Sequence, residues 1–150
     1  MHILLDIDGV MVSAASWKKP EVLNDGFYIF KDIAVESLNK IIKATNASII
    51  LTTSHRFRFT LEQWNKVFAS RNIFVSVDRF ESKQPYLSRK QEILIECQNS
   101  KYDNQFIIID DDKSLNGLPF ELKKRLILTS PLIGLTDELA NEAIVLLKNV

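Results

Sequence analysis

The sequence predicts an α/β fold: an open, mostly parallel five-stranded sheet with helices on both faces. Short apolar runs that suit strands alternate with helical patterns along the chain, and this alternation is typical of parallel sheets with crossover helices. Hydrophobic residues make up 46% and charged residues 25% of the 150 residues, which excludes disordered and fibrous classes. Four Gly and four Pro are few for this length, so long irregular loops are not expected.

The first part of the chain is predicted to contain two strands, a hairpin and a helix. Residues 3–7 and 48–52 are short apolar runs, as expected for strands that are buried on both faces of a sheet. Between them, Asn24-Asp25-Gly26 separates two apolar segments and indicates a hairpin. Asp32 is predicted to cap a helix, because apolar residues follow it at helical spacing.

The middle of the chain is predicted to contain two helices and a short strand. Thr60 with Gln63 is a capping box, and apolar residues at helical spacing follow it. Residues 73–75 are a strand candidate. Ser88 with Gln91 forms a second capping box at the start of the next helix.

The last part is predicted to add two strands and a closing helix. Residues 106–109 give the strongest strand prediction in the sequence, and residues 126–128 give another. Thr136 is predicted to cap the final helix.

Charge and cysteine content restrict the classes of function. Nineteen basic and nineteen acidic side chains cancel, so no overall field attracts nucleic acid or an anionic membrane. A single cysteine excludes an internal disulfide framework and favours a reducing compartment. No apolar run suits a membrane span, and the chain opens on a strand-like segment without a basic leader. We therefore expect one domain over residues 1–150, a cytoplasmic location and no membrane partner.

Acidic and hydroxyl side chains follow three of the predicted strands. Asp6 and Asp8 come after the first strand, Thr52 after the second, and residues 110–112 are three consecutive aspartates after the fourth. Ligands of parallel sheets bind at the carboxyl ends of the strands, and Gly9 would allow the backbone to approach a ligand closely there. Carboxylates gathered at this edge repel one another unless a cation or a bound proton relieves them. Ligands that offer only oxygen suit Mg²⁺ better than zinc.

Four motifs resemble, in order, those of the haloacid dehalogenase (HAD) superfamily. Asp6-Ile7-Asp8-Gly9-Val10 resembles the first motif, Ile49-Ile50-Leu51-Thr52 the second, Lys90 the third and Ile107-Ile108-Ile109-Asp110-Asp111 the fourth. Residues 126–150 fit the closing strand and helix of that fold. The resemblance implies a HAD-like Rossmannoid three-layer sandwich with a minimal cap, and a HAD-type phosphoric monoester hydrolase.

The resemblance also assigns roles to the four acidic residues. Asp6 would attack phosphorus and form an aspartyl-phosphate, while Asp8 would act as general acid and then as general base. Mg²⁺ would be held by the Asp6 carboxylate, the Asp8 backbone carbonyl and Asp110, with Asp111 acting through a water.

Thr52 and Lys90 would bind the transferring phosphoryl oxygens. Arg89 and Lys90 directly follow the predicted cap Ser88, where a cation opposes the helix dipole. A lysine at this place beside a carboxylate cluster favours a functional role over a tolerated surface pair. Lys83 is the competing candidate, in a predicted loop.

The predicted substrate contacts are Gly9, Thr53 and Arg56. Residues 55–59, His-Arg-Phe-Arg-Phe, should lie near the site, and residues 55–90 contain eight basic side chains against three acids. That excess either attracts an anionic substrate or balances the acidic half of the domain. About 43 residues separate Asp8 from Thr52, too few for a large lid, so the site should be open to small phosphorylated molecules or nucleic-acid ends.

A narrower resemblance and several alternatives complete the predictions. Residues 51–54 and 134–136 are similar to small HAD domains of RNA-repair proteins. A compact metal-dependent nuclease also gathers acids at strand ends. A receiver-like domain has its acidic pair first in the chain, whereas here the acidic pair comes last. A non-catalytic HAD-fold regulator would need no motif side chains, whereas all of them are present here. The sequence leaves the oligomeric state open.

Overall fold

The computed structural model describes residues 1–15, 17–98 and 102–149. The strands are β1 (His2–Leu5), β2 (Ser48–Leu51), β3 (Val77–Arg79), β4 (Phe106–Asp110) and β5 (Leu126–Leu128). The helices are α1 (Asp32–Thr45), α2 (Leu61–Ser70), α3 (Arg89–Gln98), α4 (Phe120–Lys123) and α5 (Asp137–Lys148). The α/β architecture predicted from the sequence is confirmed.

The five strands form one sheet in the order β3-β2-β1-β4-β5, and every neighbouring pair is parallel. The β1 strand is central, and its last residue Leu5 is in register with Leu51 of β2 and Ile109 of β4. Because all the strands run the same way, their carboxyl ends lie at one edge of the sheet.

Helices cover both faces of the sheet. On one face, alternate strand residues such as Ile3 and Leu5 pack against α1, α2 and α5 in a large hydrophobic core. On the other face, Leu4 and Ile108 pack in a smaller core with α3 and the chain that follows β4. The β1, β2 and β4 strands are therefore apolar on both faces, as the continuous hydrophobic runs predicted. The result is a three-layer, HAD-like Rossmannoid sandwich.

The two predicted capping boxes are present. The Thr60 hydroxyl accepts from the Gln63 N–H while the Gln63 side chain accepts from the Thr60 N–H, and Ser88 with Gln91 makes the same pair of bonds. Thr136 caps α5 by accepting from the Leu139 N–H. The prediction that Asp32 caps α1 is wrong: Lys31 is the N-cap, without a side-chain cap, and Asp32 is the first helical residue.

The predicted strand at residues 73–75 is also wrong, because the third strand lies at Val77–Arg79. The Ile73 N–H donates to the Phe68 carbonyl and so belongs to the end of α2, while the Phe74 side chain is exposed. The Asn65 side-chain amide accepts from the Val77 N–H and donates to its carbonyl. The start of this edge strand is therefore determined by a side chain on α2.

The segment between β1 and α1 forms only a small structure over the site edge. Its turn at Asn24-Asp25-Gly26 is where the sequence predicted a hairpin, although the pairing consists of one antiparallel bridge between Val22 and Tyr28. Its described residues contain no helix, in agreement with the minimal cap. Among residues 1–15, 17–98 and 102–149, no helix combines the length and apolar character needed to cross a membrane.

Candidate active site

The strand register brings three of the predicted residues side by side. Asp6 follows β1 by one position, Thr52 follows β2 by one, and Asp110 ends β4. The Thr52 N–H donates to the Leu5 carbonyl, and the Asp6 N–H donates to the Ile109 carbonyl. The backbone hydrogen bonds between the strands therefore continue past the strand ends on both sides of β1. They place the side chains of Asp6, Thr52 and Asp110 next to one another.

Asp6, Asp110 and Asp111 form a compact carboxylate cluster in which one oxygen from each lies within 4.8 Å of the others. Asp6 and Asp110 are buried and Asp111 is partly buried. Burial, followed by the charge of Asp110, raises the pKa of Asp6, and burial likewise raises the pKa of Asp110. The cluster therefore favours either a bound proton or a compensating cation.

The cluster fits a divalent cation. Oδ2 of Asp110 is buried and accepts no hydrogen bond among the described residues, although it lies 3.4 Å from Nε of Arg89. A buried carboxylate oxygen without a hydrogen bond is unfavourable. The donors are all carboxylate oxygens, the ligand type that Mg²⁺ prefers. The Asp8 side chain is half exposed and lies outside the cluster, which is compatible with the predicted contact through its backbone carbonyl.

The guanidinium group of Arg89 reaches this cluster. Its Nη2 lies 3.4 Å from Oδ1 of Asp6, and its Nε lies 3.4 Å from Oδ2 of Asp110. Its Nη1 donates to the Thr52 carbonyl and also lies 3.3 Å from a carboxylate oxygen of Glu92. The guanidinium therefore joins the ends of all three central strands.

The structure does not bring Lys90 to the carboxylates, although the sequence prediction chose it. Its ammonium group lies against Gly117, in the 3₁₀ turn after β4. Successive helical residues point about 100° apart, so in the first turn of α3 Arg89 faces the strand ends and Lys90 does not. Lys83 lies elsewhere, with its Nζ 5.2 Å from the centre of the Phe57 ring.

Asp8 is paired with His55, a residue to which the sequence analysis assigned no role. The His55 Nε2–H donates to Oδ2 of Asp8 over 2.9 Å. The imidazole is held by edge-to-face contacts with Phe27 and Tyr28, each at 5.6 Å between ring centres, and its backbone N–H donates to the Thr53 hydroxyl. The available signal was its position, three residues after Thr52.

The model of one protein family, the HAD domain in Swiss Army Knife RNA repair proteins, matches residues 2–140. That range includes every strand and every strand end described above. The chain belongs to this family. No curated protein and no solved structure matches it significantly.

In this HAD domain, Gly9 and Thr129 hold the loop after β1. Gly9 has a φ of 77°, and a Cβ there would overlap the Asp111 carboxylate, so only glycine lets the loop pass so close to the cluster. The buried Thr129 hydroxyl donates to the Gly9 carbonyl over 2.7 Å. The predicted need for a glycine is explained by the approach of Asp111 as well as by the turn itself.

Thr52 and Thr53 differ in the use of their hydroxyls. Both side chains are buried. The Thr52 hydroxyl has no hydrogen-bond partner among the described residues, which leaves it available for a phosphoryl oxygen. The Thr53 hydroxyl caps the 3₁₀ turn at residues 54–57, so the structure gives this residue a local structural use, and its predicted substrate contact remains a prediction.

The structure gives Arg56 a local structural use, and its predicted contact with substrate remains a prediction. Its side chain is 6% exposed, and four of its N–H groups point to the carbonyls of Thr52, Thr53, Phe80 and Ser82. Arg71 and Arg79 likewise donate to backbone carbonyls, and Arg71 also pairs with Asp25 at 2.6 Å. Much of the basic excess of residues 55–90 therefore stabilises loops of the HAD domain.

Proposed function

We propose that this HAD domain is a Mg²⁺-dependent phosphomonoesterase with Asp6 as its nucleophile. The observation that carries the proposal is the cluster of Asp6, Asp110 and Asp111 with Arg89 across the ends of three adjacent strands. Family membership supports a hydrolase. When bound by these carboxylates and the Asp8 carbonyl, Mg²⁺ would neutralise negative charge on the transferring phosphoryl group.

Two steps follow from the side chains present. An Asp6 carboxylate oxygen attacks phosphorus, the ester P–O bond breaks, and Asp8 donates a proton to the departing oxygen. Asp8 then takes a proton from a water, the water oxygen attacks the phosphoryl group, and the bond between phosphorus and Asp6 breaks to release phosphate. His55 would hold the Asp8 carboxylate in place through the 2.9 Å hydrogen bond.

Arg89 and the Thr52 hydroxyl would stabilise charge on the phosphoryl oxygens. Arg89 is already held among Asp6, Asp110 and the Thr52 carbonyl, so little reorganisation is needed when a phosphate arrives. We therefore give Arg89 the role that the sequence prediction gave to Lys90. Its planar guanidinium also suits two-point binding of phosphate oxygens.

The substrate we propose is the phosphorylated end of a nucleic acid. Two observations favour it over a small metabolite: the small structure over the site, and a family described from RNA repair proteins. Phosphate release should be measured with Mg²⁺ on 5′- and 3′-phosphorylated oligonucleotides, nucleotides, sugar phosphates and phosphopeptides. Release from an oligonucleotide end but not from sugar phosphates is expected, whereas cleavage of internal phosphodiesters would indicate the nuclease alternative.

A matched pair of variants tests the site assignment itself. Arg89→Met should lower kcat/KM by about 10²–10³-fold, as loss of a preorganised donor to a developing oxyanion does. Lys90→Met removes the neighbouring charge of the same helix turn and should change kcat/KM by less than about threefold, because Lys90 lies against Gly117. Equal losses in the two variants, or a larger loss for Lys90→Met, would return the role to Lys90.

A further inference from the structure

A second concave region lies at the same edge of the sheet as the carboxylate cluster. It is a groove of about 530 Å³ between the segment that follows β1 and the loop that follows β5, and its lining includes Trp17, Lys18, Lys19, Ile29, Lys31 and Leu132. The two walls are joined by hydrogen bonds, from the Ala14 N–H to the Pro131 carbonyl and from the Leu135 N–H to the Val10 carbonyl. The volume lies within the range of small-ligand sites.

Trp17 gives this groove an unusual surface. Its side chain is 78% exposed, whereas Trp64, the other tryptophan, is fully buried in the core. Ile29 and Leu132 add exposed apolar area to the lining. The Trp17 indole is exposed to water and is not stacked on another aromatic ring among the described residues. Such a flat apolar face suits stacking of a planar ring.

The charge around the groove is predominantly positive. Lys18, Lys19 and Lys31 line it with one acidic residue, Glu21. Lys18 and Lys19 are exposed, while Lys31 donates to the Ile133 carbonyl over 2.6 Å and so lies fixed across the two walls. An aromatic face in the same groove as three cations is complementary to a nucleobase joined to phosphates.

The groove also adjoins the candidate catalytic residues. Its lining residue Val12 forms a bridge with Asp8, and the Gly9 N–H donates to the Val12 carbonyl over 2.8 Å. Bridged backbones lie roughly 5 Å apart. The wall of the groove at Val12 therefore adjoins the backbone of Asp8.

We propose that this groove binds the nucleotide next to the reacting phosphate of a single-stranded nucleic acid. The base would stack on Trp17, and the backbone phosphate would contact Lys18, Lys19 and Lys31. This rests on the proposed function, since it assumes a nucleic-acid end at Asp6. It adds a subsite, with residues of its own, to the phosphate-binding cluster.

Binding can be measured without turnover. The Asp6→Asn variant should be titrated into fluorescently labelled RNA octamers carrying a 5′- or a 3′-phosphate, with anisotropy as the readout. Trp17→Ala in that background should raise the Kd by between about fivefold and 100-fold, the range expected for the loss of one stacked base. Trp17→Phe should restore most of the affinity. Phe74→Ala is the matched control, because Phe74 is 76% exposed but lies before β3, at the opposite edge of the sheet.

The salt dependence tests the lysines separately. Replacing Lys18 and Lys19 with alanine should reduce the slope of log Kd against log salt by about 1–2, as expected for the loss of phosphate contacts. An unchanged Kd in Trp17→Ala, together with an unchanged slope in the lysine variant, would overturn the proposal. Trp17-dependent self-association in sedimentation velocity, with no RNA bound, would also overturn it, because the groove would then be a protein contact.

A second substrate separates failure of this inference from failure of the proposed function. With Mg²⁺ and the native Asp6, Trp17→Ala should raise KM for the phosphorylated octamer while leaving kcat/KM for p-nitrophenyl phosphate unchanged within about twofold. Phosphate release from both substrates that is insensitive to Trp17→Ala would refute the groove and leave the phosphatase intact. No release from either substrate, with octamer binding that still depends on Trp17, would refute the phosphatase and support the groove.

Discussion

Replacing Asp6 with asparagine should stabilise the metal-free protein at neutral and mildly alkaline pH while abolishing turnover. Burial and the charge of Asp110 raise the pKa of Asp6 to about 8, although Arg89 opposes this shift. In the unfolded chain the same carboxyl titrates near 3.8. Between these values the folded state holds a proton that the unfolded state has released. The stabilising effect of that proton is complete below about pH 4 and is lost as the pH rises towards 8.

The size of the effect follows from proton linkage. Each pH unit over which the folded state holds one extra proton lowers the free energy of unfolding by about 1.4 kcal/mol. Between pH 5 and pH 8 the native Asp6 should therefore lose on the order of 3 kcal/mol of stability. Asparagine has nearly the same shape and does not titrate, so the variant should lose much less over the same range.

Urea unfolding in EDTA at pH 5, 6, 7 and 8 measures this difference. Asp78→Asn is the control, since it removes one carboxylate that is exposed, lies within β3 and does not belong to the strand-end cluster. Saturating Mg²⁺ should flatten the pH dependence of the native protein, because the cation replaces the proton. Parallel pH profiles for the native protein and Asp6→Asn in EDTA would refute the electrostatic reasoning. Retention of a tenth of the native activity in Asp6→Asn would remove Asp6 as the nucleophile.

Four further predictions concern the metal and the neighbours of Asp6. Mg²⁺ should raise the Tm of the native protein by preferential binding to the folded state. Calorimetric titration should show that Gly9→Ala weakens Mg²⁺ binding by at least tenfold, because the added Cβ displaces the Asp111 carboxylate. Unchanged affinity would contradict the close packing of Gly9 against Asp111. Asp8→Asn should keep Mg²⁺ affinity yet lower kcat by about 10²–10⁴-fold, with less effect on the first step for a good leaving group, and loss of the metal would argue against an acid–base role. His55→Ala should lower kcat about tenfold at unchanged KM, and His55→Gln should recover part of the lost kcat. In an Asp8→Asn background, neither His55 variant should lower kcat further. Additive losses in that double-mutant cycle would show that His55 does not act through Asp8.

The strand-end carboxylates could be predicted from the sequence because their placement depends on local patterns. Apolar runs of four or five residues are typical of inner strands of a parallel sheet that are buried on both faces, and such strands end at one edge. Asp6, Thr52 and Asp110 directly follow or end these runs, so their proximity follows once the strands are in register. The glycine after Asp8 is likewise a local signal for a close approach of the backbone.

The remaining features depend on distances between segments far apart in the chain. Arg89 and Lys90 share the same sequence context, and the orientation of the first turn of α3 over the sheet places Arg89 against the carboxylates. The backbone carbonyls that surround Arg56 belong to different loops, so its burial could not be predicted from the neighbouring residues in the sequence. The Asp8–His55 bond joins residues 47 positions apart. Local periodicity determines which residues end a strand, whereas the direction of a long polar side chain is determined by the partners that tertiary packing brings within hydrogen-bond distance.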